Sequence, residues 1–93
     1  MAWTQILENT QGEGSSVKGG SGIQFVQVDD HAGETWTLQY QQPDGGWEDT
    51  DITFTDSGIK EYQSNFGTRY RLSGGTVGAV GYITGASDLQ PPP

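Results

Sequence analysis

Residues 34–55 read Glu-Thr-Trp-Thr-Leu-Gln-Tyr-Gln-Gln-Pro-Asp-Gly-Gly-Trp-Glu-Asp-Thr-Asp-Ile-Thr-Phe-Thr. Trp36, Leu38 and Tyr40 alternate with Thr35, Thr37 and Gln39. That period of two sends the large apolar groups to one face of a strand and the polar groups to the other. Gln42-Pro43-Asp44-Gly45-Gly46 interrupts the run; proline holds φ and lacks a donor, and glycine accepts positive φ, so the interruption is a turn. Trp47 follows at once, placed to pack back across the turn, and Asp51-Ile52-Thr53-Phe54-Thr55 alternates again. The stretch predicts a β-hairpin with one buried face. It puts Trp36, Leu38, Tyr40, Trp47 and Phe54 in the core.

Working outward, the same grammar recurs. Trp3–Glu8 reads as a first strand in which Trp3 and Ile6 do not share a period-two face, which predicts a bulge or an edge position. Residues 9–22 are rich in glycine and serine and read as a flexible loop, long enough to serve as a contact arm. In Ile23–Val28, Ile23 and Phe25 share one face and Val26 and Val28 the other. That strand is either covered on both sides or switched by a bulge at Phe25-Val26. Asp29–Gly33 is a turn that would make 23–41 a second hairpin. Strands are predicted at 59–64, at 68–73 with Tyr70 and Leu72 inward and Arg69 and Arg71 outward, and at 79–84, with a loop at 74–78. Residues 86–93 form an extended polar tail ending in Pro91-Pro92-Pro93, which cannot join a ladder.

About eight short strands at spacings near ten residues, with no helical period, predict one all-β domain over 1–85: an antiparallel β-sandwich of jelly-roll or immunoglobulin-like topology. The chain has 93 residues and no cysteine, so neither a disulfide framework nor a thiolate metal site is available. Three Trp, four Tyr and three Phe must carry the core. Twelve acids oppose four bases, a net charge of −8. That balance argues against nucleic acid and anionic membranes as partners. No stretch approaches the roughly 20 apolar residues of a membrane-spanning helix, and the N-terminus has no basic-then-apolar signal pattern.

Catalytic chemistry finds little footing. His31 is the one histidine, set in a turn with no cysteine or serine elbow to serve. Gly12-Glu13-Gly14 lacks the third glycine and the Gly-Lys-Ser/Thr of a phosphate loop. Asp29, Asp30, Asp44, Glu48, Asp49, Asp51 and Asp56 are hard oxygen donors, but their spacing is not that of an EF-hand. They read first as turn-forming acids. Glu48 and Glu61 are the nearest approach to a glycosidase pair, in a domain with little room for a cleft. Trp3, Trp36, Trp47, Tyr62 and Tyr82 are possible sugar-stacking rings, with Trp36 and Trp47 better placed as core. No enzyme activity and no cofactor are expected.

The run Trp-Thr-Leu-Gln-Tyr-Gln-Gln-Pro-Asp-Gly-Gly-Trp-Glu-Asp, then Ile-Thr-Phe-Thr, then Gly-Thr-Arg-Tyr-Arg-Leu, resembles small virion proteins of tailed bacteriophages. It spans residues 34–84. The resemblance implies a non-enzymatic capsid decoration (cement) protein, made in the host bacterial cytoplasm and docked on the major capsid protein of the virion, with a homotrimer favoured. The alternative it implies is a tail or fibre accessory module that binds host-surface carbohydrate. The resemblance transfers no individual residue; the first strand and the 9–22 loop are the expected docking arms, with Trp3, Ile6, Leu7, Val17, Lys18, Arg69 and Arg71 as the expected subunit or capsid contacts. The core would comprise Phe25, Trp36, Leu38, Tyr40, Trp47, Phe54, Tyr70 and Leu72.

Overall fold

A computed structural model describes residues 3–10, 12–74 and 78–90. All secondary structure among them is β: β1 Trp3–Thr10, β2 Ser16–Lys18, β3 Gly22–Asp30, β4 Trp36–Gln41, β5 Trp47–Phe54, β6 Gly58–Ser64, β7 Arg69–Ser73, β8 Ala79–Thr84 and β9 Ser87–Gln90. Two antiparallel sheets, in the orders β1-β8-β3-β6 and β5-β4-β7-β2-β9, pack face to face. The pairing is nested: β4 with β5, β3 with β6, β2 with β7 and β1 with β8. One long hairpin, folded over itself as it wraps, produces that nesting. This is jelly-roll topology, and the immunoglobulin-like alternative falls away.

The turn at 42–46 is the tip of that long hairpin. Gln42 N–H donates to the Gly46 carbonyl and Gly45 N–H to the Gln42 carbonyl, at 2.7 and 2.9 Å. The Asp44 carboxylate accepts from Gly46 N–H at 2.8 Å, and Gly45 takes φ 92°, where a side chain would be strained. The segment 29–35 is different. β3 and β4 lie in different sheets, so the predicted 23–41 hairpin is instead a corner between layers.

The alternation closes one core. Ile6, Leu7, Val17, Val26, Val28, Trp36, Leu38, Phe54, Tyr70, Leu72 and Ile83 are all at most 3% exposed, and Tyr40 and Ile52 pack against them. A register shift between Gln5 and Leu7 is the bulge anticipated in the first strand. It lets two consecutive residues, Ile6 and Leu7, both turn inward. Ile6, Leu7 and Val17 are therefore core, and contact with a partner through them would require unfolding. The expected loose arm at 9–22 contains β2, stapled to β7 through Val17 opposite Tyr70. Loop bonds from Gly14 N–H to the Leu72 carbonyl and from Ser15 N–H to the Ile6 carbonyl tie it to both layers.

Two predicted core residues are also displaced. Phe25 is only half-buried, because β3 runs without a break from Gly22 to Val28 against β6. With Val26 and Val28 facing in, Ile23 and Phe25 must face out. Trp47 is half-buried on the outside of the second sheet, in register with Gln41. The polar end of the chain contributes more than expected, since Ser87–Gln90 pairs with β2 as an edge strand. Residues 75–77 of the predicted 74–78 loop and Pro91–Pro93 lie outside the described residues.

Trp36 sits at the centre of the core. Its indole Nε1 donates to the His31 carbonyl at 3.0 Å, and its ring lies against the Gly74 backbone. A Cβ at Gly74 would meet the ring at 2.3 Å. Gly74→Ala should therefore destabilise the protein by about 1–3 kcal/mol, as over-packing does. Gly58→Ala, where a Cβ meets nothing within 4 Å, should stay within about 0.5 kcal/mol. Urea denaturation of the two variants checks this pair.

Candidate interaction face and open cleft

The two outer faces of the sandwich differ in kind. On the five-stranded sheet the polar groups satisfy one another. Gln39 donates through Nε2 to Asp49 at 2.8 Å and accepts from Arg71 Nε at 2.8 Å. The Arg71 guanidinium stacks 4.2 Å above the Trp47 ring and lies 4.0 Å from Glu13, a cation–π arrangement suited to arginine. Partial burial lowers the basicity of Arg71, and Glu13 opposes that shift. Arg69 donates to the Ser16 hydroxyl and carbonyl and to the Asp88 carbonyl. Lys18 and Arg69 both pair with Asp88, at 3.9 and 3.4 Å. Lys18, Arg69 and Arg71, anticipated as partner contacts, are thus engaged within their own sheet.

The outer face of the four-stranded sheet instead mixes exposed apolar groups with amides. Register aligns Gln5, Tyr82, Gln27 and Ile59 across the four strands. Trp3 pairs with Thr84, whose hydroxyl accepts from Phe25 N–H at 2.8 Å, and Phe25 pairs with Glu61. Ile23 lies two residues further along β3. Trp3, Ile23 and Ile59 are 41%, 55% and 57% exposed, and Phe25 and Tyr82 are half-buried. The chain's remaining base, Lys60, lies opposite the inward-facing Val26 and so on the other side of β6, where it bonds the Thr53 carbonyl and covers the Phe54 ring. The face therefore carries rings, aliphatic groups and amides, with Glu61 as a charged member and no base.

Along the β5 and β6 edges the sandwich gapes into a cleft of about 790 Å³. Its cause is local. Between Gln39 opposite Asp49 and Thr37 opposite Thr53, Leu38 faces three residues, Thr50, Asp51 and Ile52. The Thr50 hydroxyl fastens this bulge by donating to the Leu38 carbonyl at 2.7 Å and accepting from Ile52 N–H at 3.1 Å. Bulges re-aim a strand in this way, often beside functional sites. Tyr40, Tyr62 and Tyr70 line the cleft, with the 50–52 bulge, Gln42 and Asn65 around them. Tyr62 and Tyr70 meet edge to face at 5.2 Å, and Tyr70 accepts from Asn65 N–H at 3.0 Å. The Tyr62 and Ser64 hydroxyls are buried beside each other.

The acids considered as cation ligands are dispersed. Asp30, Asp44 and Asp56 cap nearby backbone N–H groups and Asp49 serves Gln39. No three His, Asp or Glu side chains converge among the described residues. Glu48 lies in β5 opposite Tyr40 and Glu61 in β6 opposite Phe25. Of the rings considered for sugar stacking, Trp36 and Tyr62 are buried, while Trp3 and Tyr82 belong to the outer face of the four-stranded sheet. Sequence reasoning missed the cleft, because the bulge that opens it is written in Thr50, a residue whose side chain reads equally well as an ordinary strand hydroxyl.

Burial raises the pKa of the Tyr62 phenol above its usual range; Ser64 lowers it in part and Tyr70 adds to the rise. Unfolded tyrosine ionises near about pH 10. Tyr62 should thus contribute stability that is intact below that pH and lost as pH climbs toward the higher folded value. Urea denaturation from about pH 8 to 11 should show a steeper loss for the natural protein than for Tyr62→Phe.

No protein-family profile matches the chain, and neither the curated proteins nor the solved structures compared with it show a significant match.

Proposed function

We propose that this protein is a non-enzymatic structural subunit of a tailed-phage particle, a decoration protein that seats on the capsid shell through the outer face of its four-stranded sheet. The observation that carries the docking part is the contrast between the two outer faces. One directs its bases to its own acids and amides. The other leaves Trp3, Ile23 and Ile59 exposed on one face with Phe25 and Tyr82, interleaved with Thr84, Gln27 and Glu61. Exposed apolar groups gathered on one face are a candidate interaction surface. Its partner would present an apolar patch bordered by Lys or Arg, matching Glu61 and the net charge of −8. Jelly rolls serve in viral capsid and lectin domains, a fold-level analogy that accords with the resemblance over 34–84. Self-association as a trimer belongs to the same proposal.

A second reading, a tail or fibre accessory module that binds host-surface carbohydrate, is favoured by the open tyrosine-lined cleft.

The deciding experiment is mass spectrometry of purified particles from a phage that encodes this chain. The decoration reading expects the chain in the particle at a copy number comparable to that of the shell subunit; its absence from the particle overturns the reading. Ile23→Thr combined with Ile59→Thr should keep the melting temperature and lose particle occupancy. These positions are exposed, so the fold does not depend on them.

A further inference from the structure

We infer that Phe66 is a docking knob whose seat is the β5–β6 cleft of a second copy of this chain. Phe66 is 85% exposed, more than any other large apolar side chain among the described residues, yet its turn is firmly held. Thr68 N–H donates to the Asn65 carbonyl at 3.1 Å and Asn65 N–H to the Tyr70 hydroxyl at 3.0 Å. The turn is also tied to the loop after β2. Gly67 N–H donates to the Gly19 carbonyl at 3.1 Å, and Gly19 N–H to the Thr68 carbonyl at 2.8 Å. These bonds hold a phenyl ring out in water, where it does nothing for the fold. A ring ordered in advance loses little freedom on binding, which is what a contact anchor requires.

The cleft suits that ring in place, lining and charge. Asn65 and Gly67, on either side of Phe66, line the cleft, so knob and seat are neighbours at one end of the sandwich. Copies turned about an axis past that end can each pass a ring to the next, and the set closes. Tyr40, Pro43 and Ile52 give the cleft an apolar lining, within a volume of about 790 Å³. Its lips carry the exposed acids Asp51 and Glu61. The 65–68 turn carries no acid, and Lys18, half exposed and 3.9 Å from Asp88, precedes the Gly19 that fastens it. Knob and seat are thus complementary in charge as well. One ring covers about 150–250 Å², far below the roughly 1,000 Å² of a lasting interface. The contact is therefore weak in dilute solution and is strengthened by closure of the ring. The trimer of the decoration reading is one such closed set; only the copy number rests on that reading.

The test is sedimentation equilibrium and NMR amide shifts of the full chain from about 20 μM to 1 mM, the range in which so small a contact dissociates. The expected result is reversible association that stops at three copies, with concentration-dependent shifts centred on residues 40–43, 50–52 and 65–68. Phe66→Ser changes an exposed site, so it should melt as the natural protein does and associate at least about tenfold more weakly. Its own cleft is intact. Isotope-labelled Phe66→Ser should therefore show shifts at 40–43 and 50–52 when unlabelled natural protein is added, and none when unlabelled Phe66→Ser is added. The inference is overturned by a monomer throughout that range, by unchanged association of Phe66→Ser, or by shifts centred on Trp3 and Tyr82. A mass that stops at two copies keeps the contact and overturns the trimer alone. Absence of the chain from purified particles overturns the decoration reading and leaves the contact standing. The double variant Ile23→Thr, Ile59→Thr should associate as the natural protein does, which separates this contact from the docking face.

Discussion

The contact between the Trp36 indole and the bare backbone of Gly74 is the constraint from which the rest of the architecture follows. Trp36 is the largest fully buried side chain. Its nitrogen is satisfied by the His31 carbonyl, so the corner between β3 and β4 is fastened to the core. Its ring occupies the space a Cβ at Gly74 would need, which fixes the exit of β7. One residue thus couples the two layers at the corner where the chain crosses between them. In a domain of 93 residues without disulfides, such a joint matters more than in a larger one, because the core is small.

Much of the fold was legible beforehand. Alternation in 36–40, 51–55 and 69–73 is a strong signal, since a strand in a two-layer fold has one dry face and one wet one. The bulge in the first strand was readable too, from Trp3 and Ile6 falling out of phase. What escaped were features decided by neighbours. Ile23 and Phe25 look as apolar as Val26 and Val28, and no local rule says which pair faces the core. The unbroken register of β3 against β6 decides it. Trp47 was assigned inward because it follows the turn at once and could pack back across it, yet the planar guanidinium of Arg71 gave it a partner outside. Val17 was hidden in glycine- and serine-rich surroundings, where composition speaks for a loop. Yet a three-residue strand, β2, suffices to bury it.

The candidate sites show the same division between local and collective information. Arg69 and Arg71 were visible as an outward-facing basic pair on one strand and were expected at a partner contact; bonds to Asp88, Ser16 and Gln39 engage them within their own sheet instead. The mixed outer face of the four-stranded sheet could not be seen before the strand order was known, because Trp3, Phe25, Ile59 and Tyr82 come from four strands scattered along the chain. The cleft depends on the number of residues opposite Leu38, a property of pairing and not of composition.

The nested pairing carries a consequence for how the molecule comes into being. Trp3 lies opposite Thr84, so the first strand has no edge to join until almost the last has left the ribosome. Before then, β1 to β4 emerge with their apolar alternation exposed and only β4 able to find its mate early, across the Pro43–Gly46 turn. Topologies dominated by distant partners assemble slowly, and half-made chains with open strand edges are prone to stick to one another. The strong acidity of the chain then acts during synthesis as well as after it, keeping nascent copies apart until the final strands close the sheets.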